Sequence, residues 1–358
     1  MEEYKQLLKD ALRDEYTHTP GLFWGDMGVC TSLYLINKMF KDDELEHMAD
    51  DFFDKVIAAI VPMNDLSFDT GLSGIGWAIS CLHANNCIDG DIDDILYNID
   101  AMIYKSLNEH GLFFQCDLMK GLTGFLVYFI YRLKYVGNKS DGIQHSIVGT
   151  ALRLVIDKLE DSVPSRFGSM SKDLYPTILW DYPILFFCLG EAMRIGIYKE
   201  KIKGMLNNWS YLITGALPFL HVNRLALANS LAYVNQRLNN KRIGAYVDTL
   251  FYSICIKDYL HDIDRASVVL NGDWFCALFN AHKALHFMDM KHVRYSAIET
   301  IYPLLYKNYC EITIEKLNNF PERQRNVSLI NGISGAMFAY CFFQNLFQSS
   351  NEKMNIIL

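Results

Sequence analysis

Gly121-Leu122-Thr123-Gly124 stands directly before the apolar run FLVYFIYRL (125–133), and the arrangement recurs along the chain. Gly25-Asp26-Met27-Gly28 precedes VCTSLYLI (29–36), Gly71-Leu72-Ser73-Gly74 precedes IGWAISCL (75–82), and Gly332-Ile333-Ser334-Gly335 precedes AMFAYCFF (336–343). The second glycines of the first three copies lie 46 and then 50 residues apart. A self-similar period of this length marks a repeat architecture. Weaker copies fill the interval. Trp180-Asp181-Tyr182-Pro183 opens an apolar helix to about Arg194, Leu225–Ala228 opens ALANSLAYV, and Asn271-Gly272-Asp273-Trp274 opens FCALFNAHKAL with the first glycine alone. That makes seven apolar helices.

More polar helices alternate with them. In 92–107, Ile92, Ile95, Leu96, Ile99, Met102, Ile103 and Leu107 fall on one helical face. Similar stripes occur near 44–60, 147–160, 198–213, 242–259 and 293–308, and MEEYKQLLKDALRDEY (1–16) supplies a seventh. Strand signals are nearly absent. The expectation is an all-α chain in which outer and inner helices alternate, forming either an open solenoid or a closed α/α toroid. A closed ring needs no special end caps. It gathers the glycine-bearing helix starts at one mouth, where glycine allows unusual loop conformations and close backbone approach. The whole chain, 1–358, reads as one such domain.

The bulk numbers fit. Of 358 residues, 51% are hydrophobic and 13% aromatic, enough for a large interior. A net charge of −8 argues against nucleic acid or an anionic membrane as partner. The charged start is no secretory signal, and the longest apolar runs, 122–131 and 183–189, are too short to span a bilayer. Nine cysteines with no CxxC fit reduced thiols in cytoplasm.

GLSGIGWAI (71–79), CDLMKGLTGFLVYF (116–129) and SLINGISGAMFAY (328–340) resemble the lanthionine synthetase C-like (LanC-like) family. The resemblance implies a toroid of seven inner and seven outer helices with one zinc ion at its mouth. It also implies addition of a peptide cysteine thiolate to a dehydrated serine or threonine, zinc lowering the thiol pKa. Three positions that the resemblance assigns to zinc ligands carry Asn223, Leu270 and Asn271 instead, and no cysteine occurs between Cys188 and Cys255. Trp180 falls where the family has a histidine. The family's aspartate four residues before the third repeat's first glycine is kept as Asp117, a candidate catalytic residue. The expectation is therefore a chain without a zinc cofactor and without competent cyclase chemistry. It would bind a precursor peptide or a peptide-modifying enzyme; the alternatives are an enzyme with a re-purposed carboxylate-lined mouth or a residual lanthionine cyclase.

Other residues were weighed on their own chemistry. Asp26, Asp69, Asp117, Asp181 and Asp273 lie near inner-helix starts. They read either as caps and helix-dipole partners or as an acidic mouth for general acid/base work, a hard cation or a basic peptide. Of the aromatic residues near the repeat starts, which include Phe113 and Phe114, Trp180, Tyr182 and Trp274 are cavity candidates, and Trp77 reads as core. Arg224 and Arg265 read by default as surface ion pairs, or could pair with mouth aspartates or a substrate carboxylate. His282 and His286 share a helix face, and Cys81, His83 and Cys87 are soft donors, but neither group makes a full metal site. Asp69, Trp180, Asp181, Tyr182, Arg224, Asp273 and Trp274 are therefore the expected cavity and peptide-binding residues, around Asp117.

Overall fold

The computed structural model describes Gln6 and residues 18–109, 115–135, 143–170, 172, 175–263, 267–318 and 327–348. Among these residues every regular element is helical. The inner helices are α1 (Asp26–Phe40), α3 (Leu72–Ala84), α5 (Leu122–Tyr135), α7 (Asp181–Arg194), α9 (His221–Leu238), α12 (Asp273–Phe287) and α14 (Ile333–Gln348). The outer ones are α2 (Asp43–Ile60), α4 (Ile92–Asn108), α6 (Ile143–Ser162), α8 (Lys199–Ile213), α10 (Lys241–Tyr252) and α13 (Tyr295–Asn318), with α11 (Ile256–His261) a short extra turn. Polarity decides which layer a helix joins. α3 buries every residue from Leu72 to Leu82, whereas α2 buries only the stripe Leu45, Ala49, Phe52 and Val56.

The glycine motif works through space. The chain ahead of each inner helix folds back over the helix's first turn. The N–H groups of Asp26, Leu72 and Leu122 donate to the carbonyls of Thr19, Asp65 and Gln115 at 2.6, 2.8 and 2.8 Å. The hydroxyls of Ser73, Thr123 and Ser334 donate to the carbonyls of Leu66, Cys116 and Val327 at 2.8, 2.5 and 2.5 Å. A Cβ on Gly71 would stand 2.5 Å from the Asp65 carbonyl oxygen, and one on Gly74 would overlap the Phe68 carbonyl oxygen. Gly25 and Gly71 have φ of −129° and −111°, open to any residue. Glycine is required here for close approach, and the unusual loop conformation that was also expected is not used.

The second glycine also receives the loop of the preceding repeat. A Cβ on Gly74 would lie 3.1 Å from Leu22 Cβ, one on Gly124 2.7 Å from Phe68 Cβ, and one on Gly335 3.3 Å from Leu270 Cβ. The series is cyclic, since a Cβ on Gly28 would meet Leu329 Cβ at 2.7 Å. Backbone bonds run the same way. Phe23 N–H donates to Asp69 O at 2.9 Å, Phe68 N–H to Met119 O at 2.6 Å, Asn271 N–H to Ile330 O at 3.1 Å and Ile330 N–H to Phe23 O at 3.4 Å. The seventh repeat thus joins the first, and the fold is an α/α toroid.

Some boundaries differ from expectation. α9 begins at His221, four residues before Leu225. The segment 242–259 is two helices, α10 and α11, broken at Ser253. Of the proposed N-terminal outer helix only Gln6 lies among the described residues, and Phe113, Phe114 and Arg265 lie outside them. Among the described residues no helix is long and apolar enough to cross a membrane.

Between α4 and α5 lies a buried charge network. Arg132 Nη2 donates to Asp100 Oδ2 at 2.9 Å and to Asp93 Oδ1 at 2.9 Å, while Tyr128 Oη donates to Asp100 Oδ1 at 2.6 Å. The Arg132 and Asp100 side chains are 1% and 0% exposed. Gly76 makes room for Tyr128, whose Cε2 would lie 2.6 Å from a Cβ there.

Candidate functional site

The seven inner-helix starts converge on one face of the ring, and a strap of chain ahead of α7 lies across it. Two residues reach up to hold the strap. Asn223 of α9 donates through Nδ2 to the Tyr175 carbonyl at 3.4 Å. Thr177 donates through its hydroxyl to Asn271 Oδ1 in a short bond and accepts from Leu179 N–H at 3.0 Å. Leu270, beside Asn271, is buried and packs against the start of α14. Beneath the strap is a cavity of about 50 Å³ walled by α7, α9 and α12, with Thr177 and Trp180 on its upper side. A second, apolar cavity of about 20 Å³ lies among Phe23, Trp77 and Phe338. Aromatic side chains fill much of the remaining ring interior, Trp77 packing against Phe68 and Tyr131 at 5.9 and 5.6 Å.

Asp117 and Asp181 form the acidic part of the mouth. Asp117 accepts the Lys120 N–H at 2.7 Å through Oδ1, and its buried Oδ2 has no hydrogen-bond partner among the described residues. Asp181 accepts the Leu118 N–H at 2.8 Å and pairs with Arg166 at 3.0 Å. Burial pushes the Asp181 carboxyl above the usual carboxylate range and the Asp117 charge adds to the push, while the Leu118 amide and Arg166 oppose it. One carboxylate with a free oxygen thus neighbours another that is harder to ionise. This division suits a pair that shares acid and base roles.

Residues 17–174 match the family model described as Lanthionine synthetase C-like protein. Over those residues the chain is similar to the LanC-like family. The match spans the first three of the four well-formed glycine repeats and stops at the strap, where the motif decays. No curated protein matches the chain.

The ring places the remaining expected residues as follows. Trp180 lines the cavity. Tyr182 does not: it stacks on Phe167 at 6.0 Å, and its hydroxyl lies 2.5 Å from the Arg166 carbonyl and 2.9 Å from Ser169 Oγ. It fills the wall between layers and fixes the segment that carries Arg166. Trp274 also fails to line the cavity and packs against the core. Arg224 pairs with no mouth aspartate. Its guanidinium donates to the carbonyls of Pro218, Ser253 and Phe219 at 2.8, 3.0 and 3.2 Å, pinning two loops. Asp69 is buried and accepts the Thr70 N–H at 2.9 Å, and buried Asp273 accepts the Ser267 N–H at 3.1 Å. These two hold loop backbone. Asp26 lies 3.0 Å from His18 Nδ1. The structure therefore brings Asp117 and Asp181 together, with Trp180 nearby, and sends the other expected residues to structural tasks. Arg166, which sequence reading missed, completes the group.

Among the described residues, no three His, Cys, Asp or Glu side chains cluster as a metal site. Cys81 is buried against Asn85, and all nine cysteines are free. His282 sits with Nδ1 2.9 Å from the Tyr302 hydroxyl and Nε2 3.3 Å from His286 Nε2. Burial, and then the His286 and Lys283 charges, push its pKa down from 6.5 to about 4. The folded state thus holds this proton more weakly than the unfolded chain. His282 stabilises the fold fully above pH 6.5, and that share is lost as pH falls towards 4. The melting temperature is expected to drop through this window, and His282→Gln should flatten the drop. An unchanged slope in the variant would assign the effect to other groups.

Proposed function

We propose that this chain is a LanC-like protein of peptide natural-product maturation. In this reading it holds a peptide or a partner enzyme at the mouth of its ring and lacks the zinc-dependent cyclase chemistry. One observation carries the reading: the positions that the resemblance gives to zinc ligands are committed to the ring's own architecture. Asn223 and Asn271 hold the strap, and Leu270 packs under the seventh repeat. These residues do not fit a zinc ion, which takes thiolate, imidazole or carboxylate donors. The exposed aromatic residues at the mouth, Trp24, Tyr175 and Phe219, support contact with another chain. Nine free thiols support a reducing compartment.

Two measurements test this. Metal analysis of untagged protein is expected to give far less than one zinc per chain. Incubation with a cysteine-containing peptide that carries dehydroalanine is expected to leave the thiol unconsumed while the peptide binds. Stoichiometric zinc or thiol loss would restore the cyclase. Asp117→Asn should weaken a basic peptide roughly tenfold, as removal of one charged hydrogen bond does.

The free Asp117 oxygen beside the harder-to-ionise Asp181 favours one second reading, an enzyme using that pair for acid/base chemistry. Under it, Asp117→Asn would abolish turnover and leave peptide binding intact.

A further inference from the structure

The cavity beneath the strap contains two polar groups that the mouth does not use. Lys283 enters from α12 with its ammonium 5.1 Å from the ring centres of both Phe187 and Phe279. It has no hydrogen-bond acceptor among the described residues. Asn229 enters from α9, is 2% exposed and lines the same cavity. Its Nδ2 donates to the Asn280 carbonyl at 2.9 Å, leaving a buried Oδ1 with no partner among the described residues. A half-buried ammonium without an acceptor and a buried oxygen left open share this cavity, and the open oxygen costs free energy unless something fills it.

The charges nearby indicate what fills them. Glu191 is the carboxylate on this side, and it is already taken by Arg194 at 2.9 Å, by Lys134 at 3.6 Å and by the Tyr233 hydroxyl. Lys134 also repels the Lys283 ammonium. Three cations share one acid, so the Lys283 ammonium calls for a further anion. The Asn229 oxygen calls for an N–H or O–H. The cavity's volume corresponds to roughly four waters, or a molecule of about five or six heavy atoms. Phe187, Phe279 and Ile184 make much of the wall apolar, and Thr177 and Ser230 also line it.

We propose that this cavity is a binding site for a small carboxylate carrying an adjacent hydroxyl or amino group. Lys283 takes the carboxylate and Asn229 accepts from the donor. The site is separate from the peptide-binding reading of the mouth and stands or falls without it.

Calorimetric titration of the full chain with lactate and glycine, with acetate and ethanolamine as comparisons, tests the proposal. Lactate or glycine should bind saturably, acetate roughly fivefold more weakly because it lacks the donor, and ethanolamine not at all. Lys283→Met should weaken the carboxylates by at least roughly tenfold. Asn229→Ala should remove the advantage of lactate over acetate and leave acetate unchanged. Melting curves without ligand report whether each variant is folded. The milder Asn229→Ala variant keeps the test available if Lys283→Met does not fold. No saturable binding to the wild-type chain, meaning water alone in the cavity, overturns the proposal. So does carboxylate binding that both folded variants retain in full.

Discussion

Asp100→Ala is expected to destabilise the protein by about 3–5 kcal/mol, the cost of breaking a buried ion pair from one side. Arg132 would lose the carboxylate that faces it, and the Tyr128 hydroxyl would lose its acceptor. Asp93 would remain, but its side chain is 26% exposed and meets only one guanidinium nitrogen. The pair itself should contribute much less than this. Replacing Asp100 by Leu together with Arg132 by Met removes both charges and should recover most of the loss. Urea unfolding of the two variants beside the wild type measures both quantities. A cost below about 1 kcal/mol for Asp100→Ala would mean that water reaches Arg132.

Gly74→Ala is expected to cost about 3 kcal/mol or more, at the upper end for overpacking. The new methyl would run into the Phe68 carbonyl, which is backbone, and would stand 3.1 Å from Leu22 Cβ of the neighbouring repeat. Neither can step aside without moving a loop that another repeat is bonded to. Gly204→Ala is the control. Gly204 lies inside α8 with nothing within 4 Å of its would-be Cβ, so alanine there should stabilise by about 0.5–1 kcal/mol. Opposite signs for the same substitution would separate close approach from helix propensity. Equal effects at both sites would contradict the packing described for the repeat starts.

How legible these features are in the sequence depends on how local their causes are. The inner helices of repeats one, two, three and seven can be read from their glycines because the fold-back that needs them is made within seven residues. α10 and α11 read as one helix because an apolar stripe continues across the break at Ser253. The partners of Arg224 are carbonyls, and no sequence pattern displays those. The register of Tyr182 places it at the mouth, while its ring turns into the wall beside Phe167. Arg132 and Lys283 are visible as lone charges in apolar runs, yet Asp100, 32 residues away from Arg132, could be found only from the packing of α4 on α5. The strap is the clearest case. Residues 175–180 carry no period, and the bonds to Asn223 and Asn271 span 48 and 94 residues.

The bond from Ile330 N–H to the Phe23 carbonyl joins residues 307 apart in sequence. Every other junction between neighbouring glycine repeats can nucleate from segments already close along the chain. This one has nothing to close onto until an arc of repeats has stacked with the right curvature. Its formation is a late folding event that depends on the shape accumulated by all the others. The same dependence works in reverse. A change in any repeat that alters the arc's curvature by a small angle is felt as strain at the seam, where amide exchange of Ile330 would report it.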